Sequence, residues 1–263
     1  MTFRDPVGAK PLAVVTGAST GIGFELARCC LDAGFDLVIV ADEAEIHRAA
    51  SNLAREAATI EAIEADLATE RGRHDLFALI GSRRVDALFA NAGIGLGEAF
   101  LDQDFANVTQ LLRTNIEGTL GVIHKVAHDM RARHNGRILI TGSIAAYVPG
   151  PFQASYNASK AFINQFALAL REELRGSGVS VTCLAPGITE SEFFRRSGQI
   201  DTKAGRSRKD GPRMVARVGF DAMMRGEAFV ISGWKNRLQI AIARRLPDSL
   251  LVRLHRPWSK PGR

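Results

Sequence analysis

Three features of this 263-residue chain point to an α/β fold, with one parallel sheet covered by helices on both faces. Seven short apolar runs rich in β-branched residues recur along it, helix-patterned stretches separate them, and glycine, acidic, amide or hydroxyl residues sit where the runs end. Apolar strands alternating with helices are the mark of a sheet buried on both sides. At this length one α/β domain buries a sizeable core, so 1–263 reads as a single domain: a body over about 10–232, a polar segment over about 190–212 within it, and a tail over 233–263.

The first run, Leu12–Thr16, leads into Gly17-Ala18-Ser19-Thr20-Gly21-Ile22-Gly23, and residues 24–33 have helix-forming composition. Glycines permit a tight turn and close backbone approach, and the helix N-terminus offers free amides and a positive dipole end to a pyrophosphate. The second run, 37–40, is followed by Asp42; the third, 60–65, by Asp66 and Leu67, where a helix begins, so Asp66 also suits an N-cap. Val85–Ala90 leads into Asn91-Ala92-Gly93. Residues 103–133 read as one long helical stretch that contains Asn115, a mediocre helix former.

The fifth run, 137–141, ends before Ser143, and a helix carrying Tyr156 and Lys160 follows. The sixth, 179–184, ends at Pro186-Gly187-Ile188-Thr189, and 229–232 is the last. Between them 190–212, rich in Gly, Ser, Lys and Arg, reads as a mobile lid. In parallel sheets ligands bind beyond the carboxyl ends of the strands, so all these run-end residues are expected in one crevice.

Composition excludes several classes. Hydrophobic residues are 46% and charged residues 24%, ordinary for a globular protein. Residues 1–10 are polar, and no stretch has the apolar length of a signal peptide or a membrane span, so a cytoplasmic protein is expected. Cys29, Cys30 and Cys183 have neither metal-ligand nor disulfide spacing and read as reduced core residues. The net charge of +6 is a property of the tail, which carries +7 over 233–263 and leaves −1 for the rest. No aromatic-rich basic face or nucleic-acid motif accompanies it, so no nucleic-acid partner is expected.

Tyr156 and Lys160 are four residues apart and share a helix face, where a nearby positive charge stabilises phenolate. Free tyrosine, with a pKa of about 10, is otherwise a poor base at neutral pH. Together with the glycine turn, Asp66-Leu67, Asn91-Ala92-Gly93, Asn115, Ser143, Tyr156-Asn157-Ala158-Ser159-Lys160 and Pro186-Gly187-Ile188-Thr189, this pair makes the chain resemble the short-chain dehydrogenase/reductase family over about 12–232. The resemblance implies a Rossmann-type doubly wound parallel sheet of about seven strands, here with a basic helical C-terminal extension. It also implies a nicotinamide cofactor, NAD(P)(H), and oxidation or reduction at a carbinol or carbonyl carbon.

Hydride transfer at that carbon requires proton movement at its oxygen, which assigns Tyr156 as general acid/base and Ser143 as the hydroxyl that holds the oxygen. Lys160 is expected to lower the tyrosine pKa. The resemblance implies that it also holds the nicotinamide ribose, and that Asn115 is linked to it through water. For the cofactor, Gly17, Ser19, Thr20, Gly21, Ile22 and Gly23 form the phosphate cradle. Asp66 is expected at the adenine amino group, Asn91 and Gly93 along the adenosine side and Thr189 at the carboxamide, with Leu67, Ala92, Pro186, Gly187 and Ile188 also expected to bind the cofactor.

Asp42 lies 19 residues beyond Gly23, close to where an acid binds the ribose 2′-hydroxyl of NAD. In the family pattern that acid normally falls one residue earlier, at Ala41, and NADP-type members often carry arginine where this chain has Asp42. Asp42-Glu43, with Glu45 near and Thr20 rather than a base inside the turn, repels a 2′-phosphate and supplies no cation for it, so NAD(H) is the favoured cofactor.

Pro149, Gly150, Phe152, Phe193 and Phe194 are expected at the entrance for a small-molecule alcohol or ketone, partly apolar. In the tail Trp234, Leu238, Ile242, Leu246, Leu250, Leu254 and Trp258 recur every fourth position around Pro247, which predicts two short amphipathic helices. Docking on the body is the expected arrangement; packing on another subunit and peripheral contact with an anionic membrane are the alternatives. The resemblance implies a homodimer or homotetramer built through the helices of Asn115 and Tyr156. Competing functions are a nucleotide-sensing regulatory protein of the same fold, which has no need of an acid/base relay, and a membrane-surface reductase of lipophilic substrates.

Overall fold

The computed structural model describes residues 10–262; residues 1–9 of the polar N-terminal run, and Arg263, counted in the tail's charge, lie outside the described residues. Seven strands form one parallel sheet: β1 (Leu12–Thr16), β2 (Asp36–Ala41), β3 (Ile60–Glu64), β4 (Val85–Ala90), β5 (Gly136–Thr141), β6 (Val179–Ala185) and β7 (Phe229–Ile231). Their order is β3-β2-β1-β4-β5-β6-β7. The order reverses between β1 and β4, and such a switch point opens a crevice at the strands' carboxyl ends.

Side-chain alternation along the strands builds two cores. Val14, Val38, Leu88, Ile138 and Val181 point to one face, packed with Val122 and Met130 of α5 (Thr119–Ala132) and Ile163 and Ala167 of α6 (Ala154–Glu173). Ala13, Val15, Ile39, Phe89 and Leu184 point to the other, against Leu26 and Cys30 of α1 (Gly21–Asp32) and Ala216 and Phe220 of α9 (Pro212–Met224). The central strands β1 and β4 read as near-continuous apolar runs because both faces are covered, whereas the edge strand β3 carries Glu61 and Glu64 and is only partly buried. Cys29, Cys30 and Cys183 are free and buried.

The remaining helices are α2 (Glu45–Leu53), α3 (Glu70–Ile80), α4 (Phe105–Leu112), the single turns α7 (Phe193–Arg196) and α8 (Lys203–Arg206), α10 (Trp234–Ala243) and α11 (Asp248–Ser259). The stretch 103–133 is not the uniform helix its composition predicts. Between α4 and α5 lies a π-helical segment, Arg113–Gly118, which holds Asn115. A widened turn of this kind commonly marks a functional site; here it accompanies an Asn115 carboxamide bonded to the backbone of Ile94.

The polar segment 190–212 closes on itself at its base, where Thr189 and Asp210 form a parallel bridge. Gly97 N–H donates to the Ser197 carbonyl at 3.0 Å, and Gln153 at the start of α6 donates to Gln199, so the segment is fastened across the end of the sheet. The tail forms the two helices its periodicity predicts, parted by Pro247, and buries Ile240, Ala243 and Leu251.

Candidate active site

A cavity of about 1550 Å³ runs across the carboxyl ends of the strands, from the glycine turn to the tail helices. Single-ligand pockets are typically about 300–1,000 Å³, so this one has room for two molecules side by side.

At one end Gly17, Ser19, Thr20, Gly21 and Ile22 line it. Gly17 has φ +63°, and a Cβ there would stand 2.8 Å from the Ala92 Cα, so the turn closes against the backbone after β4 only with glycine. Thr20, the N-cap of α1, makes no side-chain cap bond, which leaves the first amides of α1 available at the cavity wall. Gly23 does not line the cavity. Its absent Cβ would lie 2.1 Å from the Gly17 carbonyl oxygen, so the packing of helix on turn requires glycine there.

Asp42, Asp66, Leu67, Asn91, Ala92 and Gly93 line the next section. Asp66 is not the N-cap of the helix after it; Thr69 is, accepting from Gly72 N–H at 3.0 Å. Asp66 instead accepts from Ala68 N–H at 2.9 Å and from Gln110 Nε2 at 3.2 Å. The Asn91 side chain ties three strand ends together, donating to the Thr16 carbonyl at 3.2 Å and accepting from Thr141 Oγ1 at 3.1 Å. At Asp42, desolvation and then the charges of Glu43 and Asp66 hold the carboxyl above its ordinary range.

The cation that the sequence does not supply near Asp42 arrives from the polar segment. Arg196 Nη1 lies 2.9 Å from Glu43 Oε1, an oxygen that also accepts from Ser19 Oγ at 2.5 Å. Arg196 and Glu43 are 153 residues apart, and no local pattern joins them.

Ser143, Tyr156 and Lys160 all line the cavity, with the Ser143 hydroxyl beside the Tyr156 phenol. Ser143, after β5, is held by its own backbone: Asn164 Oδ1 accepts from its N–H at 3.3 Å, and Asn164 Nδ2 donates to its carbonyl at 3.1 Å. Its Oγ accepts from Ala145 N–H at 3.0 Å. The Tyr156 ring packs against Phe193, with centroids 5.1 Å apart. Burial pushes the Tyr156 phenol up to about 12, and the adjacent Ser143 hydroxyl pulls the other way. That differs from the expected depression by Lys160. The lysine is buried, donates its Nζ to the Thr141 carbonyl at 3.0 Å, and is itself drawn down to about 8 by desolvation.

Asn115 is fully buried and does not line the cavity. Its carboxamide exchanges two hydrogen bonds with Ile94, at 2.8 and 2.9 Å, and donates to Ser159 Oγ at 3.1 Å. A Cβ added at Gly93 would stand 3.2 Å from both Asn115 Oδ1 and Lys160 Nζ, so the two polar atoms border one small space.

Pro186, Gly187, Ile188 and Thr189 line the cavity after β6. The Thr189 hydroxyl donates to the Gly187 carbonyl at 3.0 Å. Of the expected entrance residues Phe193 and Phe194 reach the cavity, but Pro149, Gly150 and Phe152 do not. Val148 and Gln153 take their places, and an added Cβ at Gly150 would lie 2.3 Å from the Asn157 side chain, so that glycine serves packing.

The far wall belongs to the tail. Trp234, Ile242, Leu246, Leu251, Leu254 and Trp258 all line the cavity, so the tail is part of the main site rather than separate from it. Sequence reasoning also missed Asn164. Its signal was present: Tyr156, Lys160 and Asn164 continue the same four-residue spacing along one face of α6.

Residues 11–201 match the family model described as short chain dehydrogenase. The chain is 34% identical over 187 residues to sulfoacetaldehyde reductase 2 of Chromohalobacter salexigens, covering 69% of this chain and 74% of that protein. Among solved structures, a short-chain dehydrogenase from Sphingobium yanoikuyae in complex with NADPH superposes with TM-score 0.80 and 25% identity over 89% of this chain and 93% of that one. A short chain dehydrogenase/reductase from Burkholderia phymatum in complex with NAD shares the fold with TM-score 0.80 and 23% identity, covering 97% of this chain and 98% of that one.

Proposed function

This chain belongs to the short-chain dehydrogenase family and is an NAD(P)-dependent oxidoreductase acting on CH–OH donors, and from that premise we propose that Ser143, Tyr156 and Lys160 are its catalytic residues. The observation that carries the reading is that these three side chains share one cavity with a glycine turn and an uncapped helix N-terminus. A pyrophosphate suits that N-terminus, because free amides and the positive end of the helix dipole are available there. Asp66, Asn91 and Gly93 would hold the adenosine side and Ile188 and Thr189 the carboxamide. The bound nicotinamide supplies or accepts the hydride.

The protein's own part is proton transfer and positioning. Ser143 Oγ hydrogen-bonds the substrate oxygen and keeps it beside Tyr156 Oη. With its pKa at about 12 the phenol is protonated at neutral pH, ready to donate to a carbonyl oxygen as the alcohol forms. In the opposite direction the phenolate is needed, and Lys160, one turn further along the same helix face, is proposed as its counter-charge, although burial dominates the phenol in this structure. Asn115 fixes Ile94 and Ser159 and borders, with Lys160, the space beside Gly93, a geometry that supports a bridging water.

The apolar wall of Phe193, Phe194, Val148 and the tail supports a partly apolar alcohol or ketone as substrate. Asp42, Glu43 and Asp66 make the adenosine end acidic, which supports NAD(H) over NADP(H). A homodimer or homotetramer is supported by exposed apolar side chains on the outer helices, Phe105 and Leu112 on α4 and Phe162 and Leu168 on α6. Among the described residues no helix is long and apolar enough to cross a membrane.

Tyr156→Phe tests the assignment. Cofactor binding, read by nicotinamide fluorescence, is expected to persist while turnover of a ketone panel falls by about two orders of magnitude or more. Undiminished turnover rejects it.

A further inference from the structure

Six large apolar side chains of the tail stand exposed at four-residue intervals: Trp234, Leu238 and Ile242 on α10, and Leu250, Leu254 and Trp258 on α11. Residues four apart share a helix face, so each helix carries a continuous apolar stripe, while Ile240, Ala243 and Leu251 bury on the body side. Scattered apolar residues on a surface need no explanation; two such stripes on successive helices do.

The charge beside them is equally one-sided. The described tail has seven exposed lysines and arginines against one acid, Asp248. Among the described residues none of the seven forms a salt bridge. They settle instead for neutral partners: Arg244 lies over the Tyr147 ring at 4.7 Å, Lys235 over Trp234 at 5.7 Å, and Arg237 donates to the Ile231 carbonyl at 3.1 Å.

Exposed apolar stripes, tryptophans at the outer ends and uncompensated cations are what a helix lying in a lipid headgroup layer presents. A second copy of this chain is a poor occupant, since a two-fold contact through this face would set seven cations against seven. We propose that α10 and α11 dock the protein on an anionic lipid surface. The docked face is also the rim of the cavity, because Trp234, Ile242, Leu254 and Trp258 belong to both. An apolar substrate thus passes from the lipid into the site along one apolar wall, a consequence that rests on the oxidoreductase reading above.

The test is flotation of the full-length protein with vesicles of phosphatidylcholine alone or mixed with phosphatidylserine. Two variants accompany it, Leu238→Ser/Leu250→Ser and Arg237→Gln/Arg245→Gln/Arg253→Gln; none of these five residues lines the cavity. Wild type is expected to float with the mixed vesicles and to be released by salt. Each cation near an anionic surface is worth on the order of fivefold in partitioning, so the triple variant should lose on the order of a hundredfold. The serine variant should lose binding too, and both should keep wild-type turnover of a small water-soluble ketone. Equal flotation with both vesicle types, or variants that float like wild type, overturns the proposal. So does a wild-type oligomer that the serine variant reduces in size without any vesicle binding, which would assign the face to a second copy. Flotation is read without turnover, so its failure leaves the catalytic assignment standing, and loss of the catalytic assignment leaves flotation unaffected.

Discussion

Asn164 grips Ser143 by both backbone groups, donating to its carbonyl and accepting from its N–H, two turns of α6 beyond Tyr156. The residue between β5 and Ser143 has to be glycine for this grip, since a Cβ at Gly142 would stand 1.8 Å from Asn164 Oδ1. Asn164 touches no part of the cavity, so it is a positioning residue. Asn164→Ala is expected to lower kcat by about tenfold to a hundredfold through misplacement of the Ser143 hydroxyl, with the Kd of the cofactor unchanged. Stopped-flow turnover beside a cofactor titration separates the two. A parallel rise in cofactor Kd would reduce Asn164 to a general structural role.

Lys160 exchanges stability for function. Its folded pKa of about 8 lies below its ordinary 10.5, because burial disfavours the ammonium. Between those values the unfolded chain holds more protons than the folded one, so this group makes stability rise with pH across that window, and its cost is fully present below about 8. Lys160→Met removes the buried charge along with one hydrogen bond to Thr141. Melting temperature at neutral pH is therefore expected to rise by about 2–4 °C, with a smaller gain near pH 10, while turnover falls by about two orders of magnitude. A destabilised variant at neutral pH would contradict the account.

The sheet was legible because its central strands are buried on both faces: their apolar runs needed no partner information, and β1 and β4 fall within the residues their composition picks out. Run-end residues were legible for the same reason, since the carboxyl ends of parallel strands share one edge. What escaped depended on contacts between distant segments. Arg196 meets Glu43 across 153 residues, and nothing local to either announces it. The π-helical segment at Asn115 escaped because helical periodicity over 103–133 changes little when a single turn widens. Gly150 looks like an entrance glycine in sequence, yet the Asn157 side chain fills the space where its Cβ would stand. The tail's place at the cavity wall was not legible either, because charge and periodicity within one segment say nothing about where on the body that segment packs.

Cofactor preference hangs on the acidic end of the groove. Asp42 lines the cavity and feels the charge of Arg196, whereas Glu43 is bonded directly to Ser19 and Arg196. A 2′-phosphate would meet Asp42, Glu43 and Asp66, with Arg196 already engaged. Asp42→Arg is expected to raise the ratio of kcat/KM with NADP(H) to that with NAD(H) by about tenfold or more, and Glu43→Gln, which frees Arg196, to raise it less. Initial rates with both cofactors decide the matter. Wild-type enzyme that already prefers NADP(H) defeats the argument, because Arg196 would then be serving the phosphate rather than Glu43.

The tail wall makes a separate prediction about substrate size. Leu254 and Trp258 line the cavity while standing about half exposed, at 57% and 49%, so each has apolar surface left for a substrate to cover. Burying a large apolar side chain is worth about 1.5–3 kcal/mol. Trp258→Ala should therefore raise KM for a bulky apolar ketone by about tenfold or more and leave KM for a small ketone, and for the cofactor proposed to sit at the glycine turn, within about twofold. The assay is run in vesicle-free buffer, so that lipid docking by the same stripe plays no part. Equal effects on bulky and small ketones would mean that the tail shapes the site as a whole rather than contacting the distal part of the substrate. An effect on the cofactor alone would move the tail's contribution to the wrong end of the cavity.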